Sequence, residues 1–406
     1  MILYYIFAII ILAIQGVVII EAFRHLIYTN RHYRACPSRY QPNLAVICPC
    51  KGLDTTFDRN IKTLFEQEYA HYEIYFVVES TADPAYERLR QIIQERKNPD
   101  KVKAEIIVAG IGESSSQKLH NQLTAWRNLP DEIEALAFID SDARLRKHSL
   151  ANLIYPLHQE NAGASTGYRW FVPTDNRLAS ITLSAMNAFF ASVLGPHPWN
   201  STWGGAMAIR RELFEKLDIP RIWSRACTDD YTLTRRVKEA QLNVIFVPAC
   251  LLASYEKTSW KNLFGFARRQ FVITRVYMPG LWQLALAGFS QFILGFWTGI
   301  IVTGCLWKNN SSEVFQAAIL PGTLYFLACL KGILRQIMIR KIIPEDRQKL
   351  VFPGLIDIFL QPFLGIFTII CIIAAGISRK ITWRGNSYIL HGPEEIETLS
   401  RSESQD

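Results

Sequence analysis

Two aspartates separated by one serine, Asp140-Ser141-Asp142, form the sharpest chemical signal in the chain. They follow the apolar run 135–139, so both carboxylates can face the same side of the turn that ends a buried strand. Hard divalent cations prefer carboxylate oxygens and share their coordination with phosphates. A cation held by Asp140 and Asp142 would neutralise charge on a departing diphosphate, with Asp140 also close to the bound nucleotide. The pair therefore predicts a metal site.

A second acidic pair, Asp229-Asp230, precedes a segment with the composition of a helix, TLTRRVKEA at 232–240. One carboxylate is enough to satisfy the free N–H groups at the start of a helix. The other is then available as a general base that takes a proton from an acceptor hydroxyl. We prefer Asp230 for this role and keep Asp229 as the second candidate.

Four basic residues are candidates for binding phosphate or a nucleotide base. Lys51 and Lys118 are placed suitably, although a solvated surface lysine is the commoner explanation of each in isolation. Arg268 and Arg269 precede a long apolar zone. They either flank a membrane or hold a diphosphate or the acceptor, since arginine binds phosphate in a planar fork.

An apolar, uncharged segment at 181–199 lies between the two acidic motifs. It predicts either a core helix or a helix in a membrane interface, which would hold a lipid acceptor beside the site. The glycines that follow, Gly204 and Gly205, permit a close approach of the backbone to a ligand.

The elements that must position these residues alternate between short apolar runs and helical segments. Strands are expected at 44–48, 73–78, 104–109 and 135–139, and helices at 56–67, 84–97 and 117–128. This alternation predicts an α/β domain with a mostly parallel sheet. Ligands of such sheets sit beyond the carboxyl ends of the strands, which is where Lys51, Glu79 and Asp140 fall.

Long apolar stretches at both ends of the chain predict membrane helices. Residues 1–20 carry no charge and lack the marks of a cleaved signal peptide, so an uncleaved anchor over 1–24 is expected. The basic residues that follow this stretch place the next part of the chain in the cytoplasm. They are His25, Arg31, His32 and Arg34.

A second apolar zone predicts spans at 282–307 and 314–334 within membrane segments covering 281–378. Residues 351–378 contain two prolines and predict either an interfacial helix followed by a span or a re-entrant hairpin. The cytoplasmic domain is expected over 40–280, and a polar tail, flexible at its end, over 379–406. The side of the membrane that holds the C-terminus stays open.

The net charge of +8 is compatible with a nucleic-acid partner, but the basic residues cluster at the edges of apolar stretches, which favours a membrane and no nucleic acid. The basic cluster between the later spans contains Lys331, Arg335, Arg340, Lys341, Arg347 and Lys349.

The 8 cysteines, Cys36 among them, show neither metal spacing nor a disulfide framework, which indicates reduced thiols. The apolar stretches carry almost no ionisable residues, which argues against a transporter.

Taken in order, the motifs resemble family 2 glycosyltransferases, specifically the ceramide glucosyltransferase-like branch. The resemblance covers nearly the whole chain. It rests on ICPCKGLD at 47–54, FEQEYAHYEIYFVVESTADPA at 65–85, QKLHNQ at 117–122, FIDSDARL at 138–145, STWGGAMAIRREL at 201–213, TDDYTLTRRV at 228–237 and ITWRGNSYIL at 381–390.

The resemblance implies a GT-A nucleotide-sugar fold, a UDP-sugar donor, Mg²⁺ or Mn²⁺, and an inverting single displacement. It implies Glu79 near the uridine, Asp140 and Asp142 on the metal, Asp230 as the base, and Arg269 in the position of the arginine of a Q-x-x-R-W motif. The chain departs from the family at two places. Glutamate or serine stands where the family usually has aspartate near Glu79, and the Q-x-x-R-W motif lacks its glutamine and tryptophan.

These features together predict an integral, multi-pass membrane glycosyltransferase with a cytoplasmic catalytic domain. It would move a single hexose from a UDP-sugar to a lipid hydroxyl. One alternative is a processive polysaccharide synthase, against which the missing tryptophan and the few spans argue. The other is a non-catalytic membrane scaffold that keeps the fold, against which the intact acidic motifs argue.

Overall fold

The computed structural model describes residues 1–34, 39–96 and 101–401, and the chain divides into two compact units. The first, called the helical unit, comprises Met1–Asn30, Val172–Val193 and Lys257–Ser378. The second, called the sheet unit, comprises Arg31–Phe171, Leu194–Glu256 and Arg379–Asp406. Cys36 lies outside the described residues, as does residue 97, where the predicted helix 84–97 ends.

The sheet unit is built on seven strands. They are β1 Leu44–Pro49, β2 Tyr72–Val78, β3 Lys103–Val108, β4 Ala135–Ile139, β5 Ala162–Pro173, β6 Ala206–Arg210 and β7 Asn243–Glu256. Their order in the sheet is β3-β2-β1-β4-β6-β5-β7. Strand β1 pairs in parallel with β2 and β4, and β2 with β3, whereas β6 runs antiparallel to β4 and β5. The predicted α/β fold with a mostly parallel sheet is confirmed.

The central strands are nearly continuous apolar runs because both faces of the sheet are covered. All five residues of β4 are buried, although successive side chains of a strand point to opposite faces. Val46 of β1 pairs with Ile74 of β2 and with Ala137 of β4, and all three are fully buried. This rigid centre fixes where the strands end and therefore where the polar residues after them lie.

Short helices connect these strands. They are α2 Phe57–Phe65, α3 Pro84–Gln94, α4 Gln117–Arg127, α5 Ser149–Ile154, α7 Arg211–Lys216, α8 Ile219–Trp223 and α9 Asp229–Glu239. The side chain of Asp83 accepts from the N–H of Ala85 at 2.8 Å and so begins α3. Ser116 accepts in the same way from the N–H of Leu119 at 3.4 Å and begins α4. These caps fix the start of each helix next to the carboxyl ends of the strands.

The segment after the last apolar helix differs from the expected polar tail. Residues 380–400 form three antiparallel strands, β8 Lys380–Trp383, β9 Asn386–Gly392 and β10 Glu395–Ser400. Polar residues alternate with apolar ones there, and Ile381, Tyr388 and Leu390 are buried. The alternation of polar and apolar residues over such short strands resembles the composition of a polar loop. In the folded chain this alternation gives the small sheet one apolar face.

The helical unit contains three helices that are long and apolar enough to cross a membrane. They are α1 Ile2–His32, α11 Pro279–Lys308 and α12 Val314–Ile342. Tyr4 of α1 donates its hydroxyl to the carbonyl of Ala317 in α12 at 2.6 Å, and Ile11 packs with Leu324. The predicted membrane helices at the N-terminus and in the second apolar zone are confirmed.

The region that the sequence leaves open, 351–378, forms two helices, α13 Val351–Phe359 and α14 Gln361–Ile377, bent by 85° at the break between them. Pro362 lies in the first turn of α14, where its missing N–H costs nothing. The bend is compatible with a broken span or with a re-entrant loop. This unit also contains α6 Leu178–Ala191 and α10 Trp260–Tyr277.

Helix α6 covers the start of the apolar segment 181–199. Most of its residues are buried, and within the helical unit it packs against α13, α10 and α14. The ring of Phe189 lies 5.0 Å from that of Phe289, and Phe190 lies 5.9 Å from Phe271. Burial on most sides favours a packed helix over one that lies with an open apolar face.

Candidate active site

Lys118 joins acidic residues from two distant parts of the chain within the sheet unit. Its Nζ lies 2.7 Å from Oδ1 of Asp140 and 2.9 Å from Oδ2 of Asp229. It also donates to the carbonyl of Gly204 at 3.1 Å. Lys118 is in the first turn of α4, Asp140 follows β4, and Asp229 begins α9. The two acidic motifs therefore meet at one place within the sheet unit.

Asp229 is the most deeply buried carboxylate of this group, with 2% of its surface exposed. Its Oδ2 accepts from the side-chain amide of Gln122 at 2.9 Å in addition to Lys118. Its Oδ1 accepts from the backbone N–H of Asp230 at 3.0 Å. A Cβ at Gly204 would collide with this carboxylate, so glycine is needed there for the backbone to approach Asp229, whereas the predicted approach to a ligand stays a prediction. Asp229 is thus held on every side by the protein.

Asp230 is less enclosed. Its Oδ1 accepts from the hydroxyl of Thr228 and from the N–H of Tyr231, the latter at 2.7 Å. Both of its side-chain hydrogen bonds in the described part of the chain end on Oδ1, which leaves Oδ2 available to a hydroxyl. Burial raises the pKa of Asp230, the charge of Asp229 adds to this, and the Thr228 hydroxyl opposes it. A carboxylate with a raised pKa is a stronger base.

Asp140 and Asp142 lie in the turn that follows β4. The N–H of Asp140 donates to Gly205 at 3.1 Å, and Ala143 donates back to Asp140 at 3.0 Å. Oδ2 of Asp142 lies 3.6 Å from the guanidinium of Arg169, whereas its buried Oδ1 has no hydrogen-bond partner in the part of the chain that the structure describes. A buried carboxylate oxygen without a donor is costly unless a ligand supplies the missing contact.

The charges in this group act strongly on one another. Burial raises the pKa of Asp140 to about 6 even though Lys118 opposes the shift. Burial lowers the pKa of Lys118, but the carboxylates of Asp140 and Asp229 outweigh it, and the net pKa is raised. Lys118 therefore stays protonated and keeps the two carboxylates together. Clusters of this kind are typical of functional sites.

Among the described residues, no group of three or more His, Cys, Asp or Glu side chains is arranged to hold a metal ion. The residues nevertheless fit a cation that takes few protein ligands. Mg²⁺ and similar ions are commonly bound through one or two carboxylates plus substrate phosphates and water. The unpartnered Oδ1 of Asp142 is the ligand atom that such an ion requires, and Asp140 stands two residues away.

Lys51 and Glu79, predicted at the carboxyl ends of β1 and β2, form an ion pair of 2.9 Å. Lys51 also donates to Oδ1 of Asn386 in β9 at 3.5 Å. The next residue, Gly52, has a φ of +65° and donates its N–H to Asp83 at 2.9 Å. These contacts fix the loop after β1 against the loop after β2, where parallel sheets bind their ligands.

Arg268 and Arg269 belong to α10 of the helical unit, and their predicted contact with the diphosphate or acceptor stays a prediction. Arg268 donates to the carbonyls of Ala374 and Ser378, at 3.4 and 3.5 Å. The guanidinium of Arg269 lies 5.4 Å from the centre of the Phe266 ring. Arg268 thus ties α10 to the end of α14 within its own unit.

Residues that the sequence did not single out also take part in the site. Gln122 holds Asp229 and lies four residues after Lys118, on the same face of α4. Arg169 contacts Asp142, and its guanidinium lies 4.9 Å from the ring of Trp203. The four-residue spacing of Lys118 and Gln122 is a local signal that both side chains lie on one face of a helix. Arg169 has no local signal, because it reaches Asp142 from a different strand.

Comparison with known proteins identifies the family of the chain. The model of glycosyl transferase family 21 matches residues 5–396. Ceramide glucosyltransferase 1 of Caenorhabditis elegans is 30% identical over 108 residues, 27% of this chain and 22% of that protein. The chain therefore matches only about a fifth of the length of this relative.

Two solved structures are also similar. The mannosyltransferase PcManGT from Pyrobaculum calidifontis, in complex with GDP-Man and Mn²⁺, is 15% identical with a TM-score of 0.49, over 92% of this chain and 98% of that one. GalNAc-T7 with UDP, GalNAc and Mn²⁺ is 12% identical with a TM-score of 0.40, over 57% and 51%. The predicted ceramide glucosyltransferase-like relationship is confirmed, under family number 21 rather than 2. The chain belongs to family 21 of the glycosyl transferases.

Proposed function

We propose that the protein transfers a single hexose from a UDP-sugar to the hydroxyl of a membrane lipid, with inversion and with Mg²⁺ or Mn²⁺. The observation that carries this proposal is the junction of Asp140, Lys118 and Asp229 beyond the carboxyl ends of the sheet. The family assignment and the name of the nematode relative support the reaction class and a ceramide-like acceptor.

In this reaction Asp230 takes the proton of the acceptor hydroxyl. Its Oδ2 is available for that hydrogen bond, and its raised pKa gives it the basicity that the step requires. Asp229 is the weaker candidate because Lys118, Gln122 and the Asp230 N–H already use its oxygens. Asp229 instead fixes the helix end from which Asp230 projects.

The leaving diphosphate requires compensation of its charge. Lys118 supplies one positive charge and holds Asp140 in position through its 2.7 Å contact. Asp140 and Asp142 would hold the divalent cation, which when bound neutralises charge on the diphosphate as it departs. Lys51 and Glu79 would contact the nucleotide at the neighbouring strand ends.

A lipid acceptor on the cytoplasmic side fits the helical unit. Its long apolar helices would keep the chain in the membrane where the acceptor is dissolved. Helix α1 ends in Arg31 and His32, and α12 ends in Arg340 and Lys341. Basic residues at such ends favour the cytoplasm. Arg269 of α10 would meet the diphosphate or the acceptor headgroup.

The experiment that tests this proposal incubates membranes containing the full chain with a panel of radiolabelled UDP-sugars and Mn²⁺. Lipids are then extracted and identified by mass spectrometry. We expect one sugar to appear on one lipid class as a single hexose. A labelled polymer would select a polysaccharide synthase, and no transfer with any lipid extract would contradict the enzymatic proposal.

The metal assignment is tested on purified protein by calorimetric titration with UDP. We expect Asp142→Asn to remove the strengthening of UDP binding by Mn²⁺, because the amide supplies a poorer ligand oxygen. Asp131→Asn is the matched control, since the side chain of Asp131 is fully exposed. Equal Mn²⁺ dependence in both variants would contradict the assignment.

A further inference from the structure

The small C-terminal sheet contacts the candidate active site within the sheet unit at several points. The hydroxyl of Tyr388 accepts from the N–H of Gln117 at 3.3 Å, at the start of α4. The ring of Trp383 lies 5.8 Å from Nζ of Lys118. Asn386 accepts from Lys51 at 3.5 Å. One hairpin thus reaches both the loop after β1 and the start of the helix that carries Lys118.

The tip of this hairpin is a two-residue turn, Arg384-Gly385, between the paired residues Trp383 and Asn386. Arg384 has a φ of +48° and Gly385 a φ of +81°. Two-residue hairpin turns favour positive φ at both positions, and glycine adopts it without cost. Arginine does not, so the presence of Arg384 at this position calls for a compensating role of its side chain.

The guanidinium of Arg384 lies against the loop after β1. It donates to the carbonyl of Lys51 at 3.1 Å and to the two carboxylate oxygens of Asp54 at 2.9 and 3.0 Å. These hydrogen bonds use three of its five N–H groups, and the structure records no other protein partner among the described residues. The remaining donors are available to a ligand.

Arg384 is also within electrostatic reach of the two candidate metal ligands. Burial lowers its pKa, but Asp54, Asp142 and Asp140 raise it by more. Its bidentate ion pair with Asp54 is partly exposed, 37% on the arginine side and 28% on the aspartate side, so screening by solvent limits the stability that it contributes. The stability that this ion pair contributes does not by itself explain why an arginine stands at a positive φ. We therefore favour a role of Arg384 in binding a ligand.

We infer that the β8–β9 hairpin forms a wall of the nucleotide-sugar site and that Arg384, held by Asp54, binds the diphosphate of the donor. Because the Asp54 carboxylate fixes the plane of the Arg384 guanidinium, the remaining N–H groups of the arginine have a defined direction. Such an arrangement suits phosphate oxygens. The inference rests on the proposed use of a nucleotide-sugar, and it adds a donor-binding residue from the end of the chain.

The test measures binding of UDP with Mn²⁺, and of uridine by competition, to the purified full chain. We expect Arg384→Ala to weaken UDP binding about ten- to hundredfold, as the loss of a charged hydrogen bond predicts, and to leave uridine binding unchanged. Arg384→Lys should lie between, because lysine keeps the charge without the fork. Thermal unfolding of each variant shows whether it is folded.

Arg379→Ala is the matched control, since Arg379 precedes the same sheet and donates to the carbonyl of His391 at 2.6 Å. We expect it to bind UDP within twofold of the unmodified chain. UDP binding to Arg384→Ala as tight as to Arg379→Ala, or an equal loss of UDP and uridine, would overturn the inference.

The same titrations separate this inference from the proposed donor. If the unmodified chain bound GDP or pyrophosphate but not UDP, the UDP-sugar proposal would fail. A loss of that binding in Arg384→Ala would still support the inference. If no diphosphate bound to the unmodified chain, both would be overturned.

Discussion

The two units of this protein each contain a buried carboxylate held by a cation, but they complete its hydrogen bonds to different degrees. In the helical unit, Asp357 is fully buried and pairs with Arg335 through both carboxylate oxygens, at 2.6 to 3.2 Å. Gln336 donates to its Oδ2 at 3.0 Å, and Gln361 to its Oδ1 at 2.8 Å. Each carboxylate oxygen of Asp357 therefore accepts at least two hydrogen bonds from the protein.

The sheet unit leaves the carboxylate of Asp142 without its full set of hydrogen bonds. One lysine, Lys118, serves both Asp140 and Asp229, and the buried Oδ1 of Asp142 has no donor among the described residues. Several like charges are thus kept close together with too few partners. Such an arrangement costs free energy unless a ligand binds, whereas a complete network contributes to a unique packing. The difference favours a structural role for Asp357 and supports the proposed binding of a ligand by Asp142.

Among the variants that test this comparison, we expect Asp230→Asn to have the largest effect on the rate of transfer. The amide keeps the shape of the side chain but removes the base, so we expect kcat to fall about 10²- to 10⁴-fold. UDP binding should be unchanged, since the donor is held elsewhere. The measurement is the rate of lipid glycosylation together with UDP titration. Asp218→Asn is the control, because Asp218 is a half-exposed residue paired with Arg221. Near-normal transfer by Asp230→Asn would remove Asp230 from the mechanism.

The opposite result is expected for Asp357→Ala. Removing one partner leaves Arg335 buried without a counter-charge, which destabilises a fold by about 3–5 kcal/mol. Thermal unfolding of the purified chain should show this loss, while UDP affinity of the folded fraction stays the same. The double variant Arg335→Met with Asp357→Leu removes both charges and should recover most of the stability. Unaltered unfolding in Asp357→Ala would mean that the pair does not support the helical unit.

The sequence predicts those parts of the molecule that have a local signature. Apolar runs of strand length locate β1, β2, β3 and β4, and the residues after them lie where parallel sheets bind ligands. Long uncharged stretches locate the membrane helices in the same way. The two acidic motifs are recognisable because Asp140 and Asp142 both follow a buried strand and because one carboxylate of Asp229-Asp230 is enough to begin a helix.

The remaining features depend on contacts between distant residues. Arg335 has the sequence context of a basic membrane flank, but it is buried against Asp357, 22 residues later. The C-terminal strands alternate polar and apolar residues over short lengths, so the contact of Arg384 with Asp54 has no local signal. Nothing near Lys118 in the sequence shows that two carboxylates converge on it. Tertiary packing decides each of these pairings.

The smallest effect concerns the pKa of Asp230. The hydroxyl of Thr228 donates to its carboxylate and lowers its pKa, whereas burial and Asp229 raise it. Transfer requires the ionised form, so kcat/KM falls as the pH drops through this pKa. Thr228→Val removes the hydroxyl and should move the acidic limb of the profile to higher pH, with little change at the alkaline plateau.

This shift distinguishes the incomplete site from a merely structural helix start. Thr124→Val, which removes a hydroxyl bonded to the carbonyl of His120 on α4, should leave the limb where it is. If Thr228→Val instead lowered the rate equally at every pH, the hydroxyl would act by holding the start of α9. The ionisation of Asp230 would then not control the rate of transfer. The comparison with the fully bonded Asp357 would no longer support a catalytic role for Asp230.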